Sequence, residues 1–147
     1  MREIDRMRQL FSPDRSRDPM QYAPLVLAYV GDTVYDLYVR TRLVLQTDAT
    51  NHDLHKKATS LVCAAAQARA AHRIADQLTE REQAVFRRGR NSHLGNVPKN
   101  AQLTDYRAAT GLEALVGYLY LCGEDQRLDE LMQQILCEDE KGNEHGI

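Results

Sequence analysis

The chain of 147 residues has the length of one domain, and with 43% of its residues hydrophobic it can bury a core of its own. A formal net charge of −2 excludes a strongly basic protein, so any affinity for nucleic acid has to come from a local cluster of positive charge. No apolar run reaches the roughly 20 residues that a membrane-spanning helix needs, and the charged start MREIDRMRQL lacks the apolar stretch of a signal peptide.

Helical spacing of apolar residues predicts two long helices in the first half of the chain. Pro24 suits the first turn of a helix that continues to about Leu45. Thr50 or Asn51 can cap a second, alanine-rich helix, which would run unbroken through residues 52–78. Strand signals are weak along the whole chain, so the predicted fold class is all-α.

Three further helices are predicted in the second half. Thr79 and Glu82 have the spacing of a capping box and open a short helix that Gly89 can close. Residues 90–101 combine glycine, proline and asparagine, which is typical of a loop. The last two helices are expected at 103–122 and 126–137, with Gly123 between them.

A single folded domain is predicted, without internal repeats. The predicted division is an N-terminal extension at 1–20, the domain itself at 21–138 and a disordered acidic tail at 139–147. The three cysteines, Cys63, Cys122 and Cys137, have no CxxC spacing. An odd number of thiols indicates a reducing compartment, so we expect a cytoplasmic protein.

Two acidic residues stand alone in apolar helical stretches. Asp32 follows Gly31 in LAYVGDTVYDLYVR, and Glu113 precedes Gly117 by one turn in LEALVGYLYL. A buried carboxylate is costly unless something pairs with it, and a glycine inside a helix costs roughly 1 kcal/mol relative to alanine. The two glycines therefore suggest a close helix crossing at which Asp32 and Glu113 converge.

Spacing alone leaves two interpretations of these acids open. In the first, each acid pairs with an arginine or lies at a helix edge, and the presence of one acid per helix favours this ordinary explanation. In the second, the two carboxylates hold a hard cation such as Mg²⁺, which prefers oxygen ligands and keeps positions open for water and phosphate.

Positive charge is concentrated in residues 81–107, where six basic residues stand against two acidic ones, whereas residues 124–144 carry eight acidic and two basic residues. The alternative to a binding role is a pair of solvated surfaces. The densest positive group, which we call the basic cluster, flanks the predicted loop and suits contacts to backbone phosphates. It consists of Arg87, Arg88, Arg90 and Lys99.

The start of the second predicted helix is another positive surface. His52 and His55 share a helix face, and Lys56 and Lys57 are adjacent to them. A zinc site would need a third ligand, and none is evident. We interpret this group as a solvated or nucleic-acid-facing helix start.

Several motifs, found in the same order, resemble the ribonuclease III family. LAYVGDTVYDLYVR is similar to the signature helix of that family, and TGLEALVGYLYL is similar to its second catalytic helix. HDLHKKAT, FRRGRNS, VPKNA and DYRAATGLEALVGYLYL resemble the Mini-ribonuclease III branch, which lacks a double-stranded-RNA-binding domain. The resemblance covers about residues 22–123.

The resemblance implies a ribonuclease III endonuclease domain and a helical homodimer whose two active sites cut the two strands of double-stranded RNA. Asp32 matches the essential aspartate of the family and Glu113 its metal-binding glutamate, so both are candidate catalytic and Mg²⁺-binding residues. Ala28 and Thr110 occupy the positions of two further acids found in the larger enzymes, which favours a single hydrated Mg²⁺ over a two-metal mechanism. Thr110 and Asp36 are candidates for supporting the metal ligands, although for Asp36 a solvated helix position is the favoured interpretation.

The function implied by the resemblance is Mg²⁺-dependent cleavage of double-stranded RNA, with maturation of the 23S ribosomal RNA precursor as its role. A ribosomal protein that presents the RNA is a candidate partner, and no membrane is involved. The basic cluster is expected to bind the duplex, as are His55, Lys56 and Lys57. The alternatives are a non-catalytic helical RNA-binding or ribosome-associated module, and an all-α nucleotide pyrophosphohydrolase, which would need clustered acids that the apolar helices lack.

Overall fold

The computed structural model describes the backbone of residues 3–11, 17–92 and 103–144, and the side chains of 7–11, 17–92 and 103–136. These residues form α-helices and two short 3-10 turns, at Pro19–Gln21 and Ala75–Gln77, with no strand among them. The prediction of an all-α fold is confirmed. The helices are α1 (Glu3–Phe11), α2 (Pro24–Gln46), α3 (Asn51–Val62), α4 (Ala64–Ile74), α5 (Glu80–Arg90), α6 (Leu103–Leu121) and α7 (Asp125–Glu144).

Helix α6 is the centre of the fold. Every residue from Ala109 to Tyr120 except Glu113 is buried, as expected of a helix that is apolar on all sides. Helices α2, α4 and α5 pack around α6, and α7 covers α4 and α6. None of the helices described is long and apolar enough to cross a membrane.

Helices α2 and α6 cross in backbone contact. A Cβ placed on Gly31 would overlap the carbonyl oxygen of Glu113 and lie 2.8 Å from the amide nitrogen of Gly117. A Cβ on Gly117 would overlap the carbonyl oxygen of Leu27 and lie 3.1 Å from the amide nitrogen of Gly31. The close crossing predicted from the two glycines is confirmed, and it sets the distance between Asp32 and Glu113.

The prediction of one unbroken helix through residues 52–78 is wrong. Cys63 has extended backbone angles (φ −68°, ψ 156°) and separates α3 from α4. Its amide donates to the carbonyl of Thr59 at 3.1 Å, while its own carbonyl accepts from the amide of Gln67 at 3.0 Å. The bend lets α3 pack on α2 while α4 packs on α6 and α7. An alanine-rich composition favours helix throughout the segment and does not indicate where tertiary packing requires a bend.

Helix α5 begins as predicted but does not end as predicted. The capping box of Thr79 and Glu82 is present, with both reciprocal hydrogen bonds. Gly89 lies inside the last turn, buried against α6, and the helix runs on to Arg90. Arg90, predicted to lie in the loop, is therefore helical, as are Arg87 and Arg88, while Lys99 and the rest of the predicted loop from residue 93 lie outside the described residues.

Helices are present near both ends of the chain, while the predicted division into extension, domain and tail stays a prediction. The backbone of α7 is helical to Glu144, beyond the predicted end at residue 137 and into the segment 139–147 that was expected to be disordered. In the N-terminal extension, α1 is anchored by Arg8, which donates to Asp125 at 2.9 Å and stacks over the ring of Tyr120. Gly123 ends α6 with φ +74°, the left-handed conformation that favours glycine.

Candidate active site

The side chains of Asp32 and Glu113 meet where α2 crosses α6. Asp32 follows the glycine that rests on the carbonyl of Glu113, so the crossing itself brings the two carboxyl groups together. The two carboxyl groups lie close enough for Asp32 to raise the pKa of Glu113. Asp32 is exposed and Glu113 half-buried, so the pair faces solvent from the edge of the core. Of the two open interpretations, the structure supports convergence over separate pairing with arginines.

Burial of Glu113 and its contact with Asp32 raise the pKa of the Glu113 carboxyl to about 8. Burial is the larger cause, because it disfavours the charged form, and the hydrogen bond and the negative charge of Asp32 act in the same direction. At neutral pH the Glu113 carboxyl is therefore mostly protonated. Carboxylates that crowd together in this way, with no described cationic side chain paired to either one, provide a favourable site for a divalent cation.

The donor set suits Mg²⁺. Two carboxylates supply oxygen ligands for a hard cation that prefers six of them and readily keeps several waters. The described part of the chain contains no group of three or more His, Cys, Asp or Glu side chains that could enclose a metal. The remaining ligand positions would thus belong to water and to substrate oxygens, which is the arrangement expected of a site that acts on phosphates.

The residues expected to support this pair have other contacts. Asp36 forms an ion pair with Arg40 at 2.9 Å, one helical turn further along α2. Thr110 is buried one turn before Glu113, and its hydroxyl donates to the carbonyl of Tyr106 at 3.1 Å. A supporting role for Thr110 and Asp36 at the metal site stays a prediction.

The three arginines of the basic cluster differ in their surroundings. Arg87 is exposed, and its guanidinium has no hydrogen bond or ion pair among the described residues. The guanidinium of Arg90 lies 6.0 Å from the centre of the Phe86 ring, at the limit of a cation–π contact. Arg88 instead donates to the carbonyl oxygens of Met20 and Tyr22. Its side chain is engaged within the protein, unlike that of Arg87.

His55, Lys56 and Lys57 lie apart from the α5 arginines. All three are exposed on α3, which packs against the second half of α2: His55 lines a small cavity with Arg40, and Lys57 lines another with Gln46. At 1.5 Å per residue, that part of α2 lies roughly 12–21 Å along the helix from Asp32. The α3 surface therefore lies away from Asp32, whereas the α5 arginines belong to a helix that packs on α6 within three residues of Glu113.

Sequence reasoning missed the contact that attaches α5 to the site. A Cβ on Gly89 would lie 2.8 Å from the Cβ of Ala114, and one on Gly111 would lie 2.8 Å from the carbonyl oxygen of Phe86. Ala114 and Gly111 flank Glu113 within two residues. The available signal was a second pair of helical glycines, but Gly89 was interpreted as a helix end.

Comparison with known proteins agrees with this fold and with the position of the two acids. The ribonuclease III domain family matches residues 25–124, which include α2 to α6 and both acids. In the solved structures, protein FN1578 from Fusobacterium nucleatum superposes with a TM-score of 0.76 at 26% identity, over 84% of this chain and 99% of that one. Fold and site thus define an endoribonuclease of the ribonuclease III class, which excludes the non-catalytic alternative.

Curated relatives show to which branch of the ribonuclease III class the chain belongs. The chain is 47% identical to Mini-ribonuclease 3 of Symbiobacterium thermophilum, over 81% of this chain and 92% of that protein. It is 46% identical to Mini-ribonuclease 3 of a Thermoanaerobacter species, over 78% and 80% of the two chains. The chain therefore belongs to the Mini-ribonuclease III family, as the motifs of its sequence indicated.

Proposed function

We propose that this enzyme cleaves double-stranded RNA in a Mg²⁺-dependent reaction, with Asp32 and Glu113 as the metal-binding and catalytic residues. The observation that carries the proposal is the convergence of two carboxyl groups at the glycine crossing, Asp32 exposed and Glu113 half-buried, with no cationic side chain among the described residues paired to either one. Release of the Glu113 proton would leave two carboxylates side by side, whose repulsion a divalent cation would relieve.

The chain's own contribution to the reaction is positional and electrostatic. Asp32 and Glu113 would hold Mg²⁺ on the solvent side of the crossing, and Glu113 must release its proton for both carboxylates to bind. A Mg²⁺ ion held by these two residues would supply charge neutralisation at the scissile phosphate and an activated water. Backbone contact at Gly31 and Gly117 fixes the separation of the two ligands. The site therefore needs little reorganisation during the reaction.

Duplex binding is assigned to the exposed arginines at the end of α5. Arg87 and Arg90 project from the helix that packs beside Glu113, so they can contact phosphates near the cleavage point. A-form RNA has a deep, narrow major groove, and its duplexes are recognised mainly by shape and by phosphate and 2′-hydroxyl contacts. We expect Lys99 to join them, and His55, Lys56 and Lys57 to contact a more distant part of the duplex.

A homodimer is part of the proposal. Helix α2 exposes an apolar surface that includes Leu25, Val26, Leu37 and, at 82% of its full area, Tyr29. Exposed apolar surface on a helix that also carries the catalytic aspartate is typical of an interface. A two-fold pair of sites would match the two strands of a duplex, so each strand is cut by one subunit.

The substrate assigned to the enzyme is the precursor of 23S ribosomal RNA, in a cytoplasmic reaction to which a ribosomal protein can contribute by presenting the RNA. Membership of the Mini-ribonuclease III family supports this assignment. The test for substrate is purified 23S precursor RNA, folded alone or with ribosomal proteins. Cleavage at its paired ends is expected, and cleavage of unrelated duplexes with equal efficiency would contradict the assignment.

Cleavage chemistry is tested with a substrate panel. Long duplex RNA, the same strands unpaired and nucleoside triphosphates are each incubated with enzyme, with and without Mg²⁺, and Asp32→Asn serves as the blank. We expect cuts in duplex RNA only, only with Mg²⁺ and only by the wild-type enzyme. Equal cleavage of unpaired strands, or cleavage in the presence of a chelator, would contradict the proposal.

A further inference from the structure

The side chain of Arg88 is attached to the segment that leads into α2. Its Nη1 donates to the carbonyl oxygen of Met20 at 2.9 Å and its Nη2 to that of Tyr22 at 3.4 Å. Nη1 also lies 3.3 Å from the sulfur of Met20. One guanidinium therefore holds two carbonyls of a single turn, a geometry that needs the forked shape of arginine.

Arg81 attaches the same segment two turns earlier in α5. It donates to Asp18 at 2.7 Å and, through Nε, to the hydroxyl of Tyr118 in α6. Asp18 in turn accepts from the amide of Met20 at 2.9 Å and so caps the turn. Residues 18–22 are thus held along α5 by two arginines from one helix face.

The start of α2 depends on this attachment. The residue at its N-cap, Ala23, provides no side-chain hydrogen bond, and Pro24 occupies the first helical position. The first described backbone bonds of the helix run from the amides of Val26 and Leu27 to the carbonyl of Ala23. Without a capping side chain, the chain just before α2 is held by Arg88 and Arg81 together with the packing of Met20 and Tyr22 on the core.

The residue after Arg88 contacts the other acid-bearing helix. Gly89 is buried against Ala114 and Gly111, which flank Glu113. The two neighbours Arg88 and Gly89 therefore connect the entry of the helix carrying Asp32 to the turn carrying Glu113. We propose that Arg88 is a positioning residue, which keeps the two carboxyl groups in register by joining residues 20–22 to the α5 turn packed on α6.

This inference rests on the proposed function, and it separates Arg88 from the duplex-binding role first assigned to it with Arg87 and Arg90. Substitution by lysine distinguishes a phosphate-binding arginine from a positioning arginine. Lysine restores a charge for a phosphate, but its single ammonium group does not reproduce the fork on two carbonyls. A phosphate contact also contributes to the salt dependence of RNA binding, whereas a contact within the protein does not.

The experiment compares Arg88→Lys and Arg88→Ala with Arg87→Lys and Arg87→Ala, the matched controls on the neighbouring exposed arginine. Duplex affinity is measured across a salt series without divalent metal, and cleavage is measured in single turnover at saturating RNA. The Mg²⁺-induced rise in melting temperature, without RNA, reports cation binding independently of activity. Circular dichroism confirms that each variant is helical, and Arg88→Lys serves if Arg88→Ala does not fold.

For both Arg88 variants we expect affinity within about twofold of wild type, an unchanged salt slope, a cleavage rate about tenfold lower and a smaller Mg²⁺-induced rise in melting temperature. Arg87→Ala should show the reverse pattern, with weaker binding and a salt slope lower by about one. A wild-type rate in Arg88→Lys, or an Arg88→Ala variant that matches Arg87→Ala, would overturn the positioning role alone. A wild-type enzyme that cuts no duplex with Mg²⁺ would overturn the proposed function and this inference with it.

Discussion

Gly31 in α2 packs directly on the main chain of Glu113 in α6, with no space for a side chain between them. Because the next residue is Asp32, the contact that stabilises the core also determines the separation of the two candidate metal ligands. Stability and activity should therefore respond together to changes at this crossing.

Gly31→Ala should lower the free energy of unfolding by on the order of 1–3 kcal/mol or more, because the added Cβ meets backbone atoms that cannot yield as a flexible side chain would. The same displacement of α2 should reduce cleavage by moving Asp32. Urea unfolding and duplex cleavage test this, with the exposed Thr33→Ala on the same helix as the control. A Gly31→Ala protein as stable as the control would show that the crossing is looser than described.

Asp32→Asn and Glu113→Gln should each abolish cleavage and leave the protein folded. Each change removes a carboxylate from a pair that repels itself when both members are ionised, so stability should hold or rise. Asp36→Asn is the matched control, since that carboxylate lies one turn along α2 and pairs with Arg40. Near-normal cleavage by either of the first two variants would remove that residue from the mechanism, and loss of cleavage in Asp36→Asn would support its role beside the metal ligands.

The raised pKa of Glu113 predicts how stability depends on pH in the absence of divalent metal. The folded state keeps the proton up to about pH 8, whereas the unfolded chain releases it near 4.5. The contribution of this carboxyl is therefore fully present below pH 4.5, declines as the pH rises and is lost above about 8. Its size is on the order of 1–3 kcal/mol after a discount for the partial exposure of the side chain.

Glu113→Gln should abolish that dependence. We expect its melting temperature to exceed that of the wild type by a margin that grows between pH 5.5 and pH 8.5. Mg²⁺ should stabilise the wild type more at pH 8.5 than at pH 5.5, because cation and proton compete for the same carboxyl groups. A margin that is constant across this pH range would show that Glu113 is not the titrating group.

Tyr29→Glu should convert the proposed homodimer into a monomer, because it places a charge in the centre of the exposed apolar surface of α2. Sedimentation at micromolar concentration measures the change, and Leu103→Glu, at the exposed start of α6, is the control. A wild-type chain that sediments as a monomer while cleaving duplex RNA would contradict the dimer.

Neutralising Arg87 and Arg90 together should weaken binding to all duplexes alike, because phosphate contacts carry no sequence information. The salt dependence should become shallower by very roughly one unit per lost contact. Cleavage of RNA that is already bound should change less than affinity, since the carboxylate pair is untouched. If affinity and salt slope stay at their wild-type values, the duplex lies elsewhere, and the surface of His55, Lys56 and Lys57 becomes the next candidate.

Local features were read correctly from the sequence. Pro24 and Thr79 begin helices, Gly123 ends one, and the lone acids Asp32 and Glu113 stand out from their apolar surroundings. Each of these signals acts through residues within a turn or two of its own position, so the linear order of side chains contains it. The contact between Gly31 and Gly117 could also be predicted from the sequence, because a glycine inside an apolar helix is costly and a close helix crossing explains both glycines.

Only the tertiary structure decided how distant segments use the remaining residues. The break at Cys63 exists because α3 and α4 pack on different helices, and Gly89 lies inside α5 because α6 approaches it there. Of the neighbouring arginines with the same charge, Arg88 donates to the carbonyls of Met20 and Tyr22, whereas the guanidinium of Arg87 has no partner among the described residues. The partner of a long side chain depends on which segment folding brings within a few ångströms of it. The neighbouring residues in the sequence do not determine which segment that is.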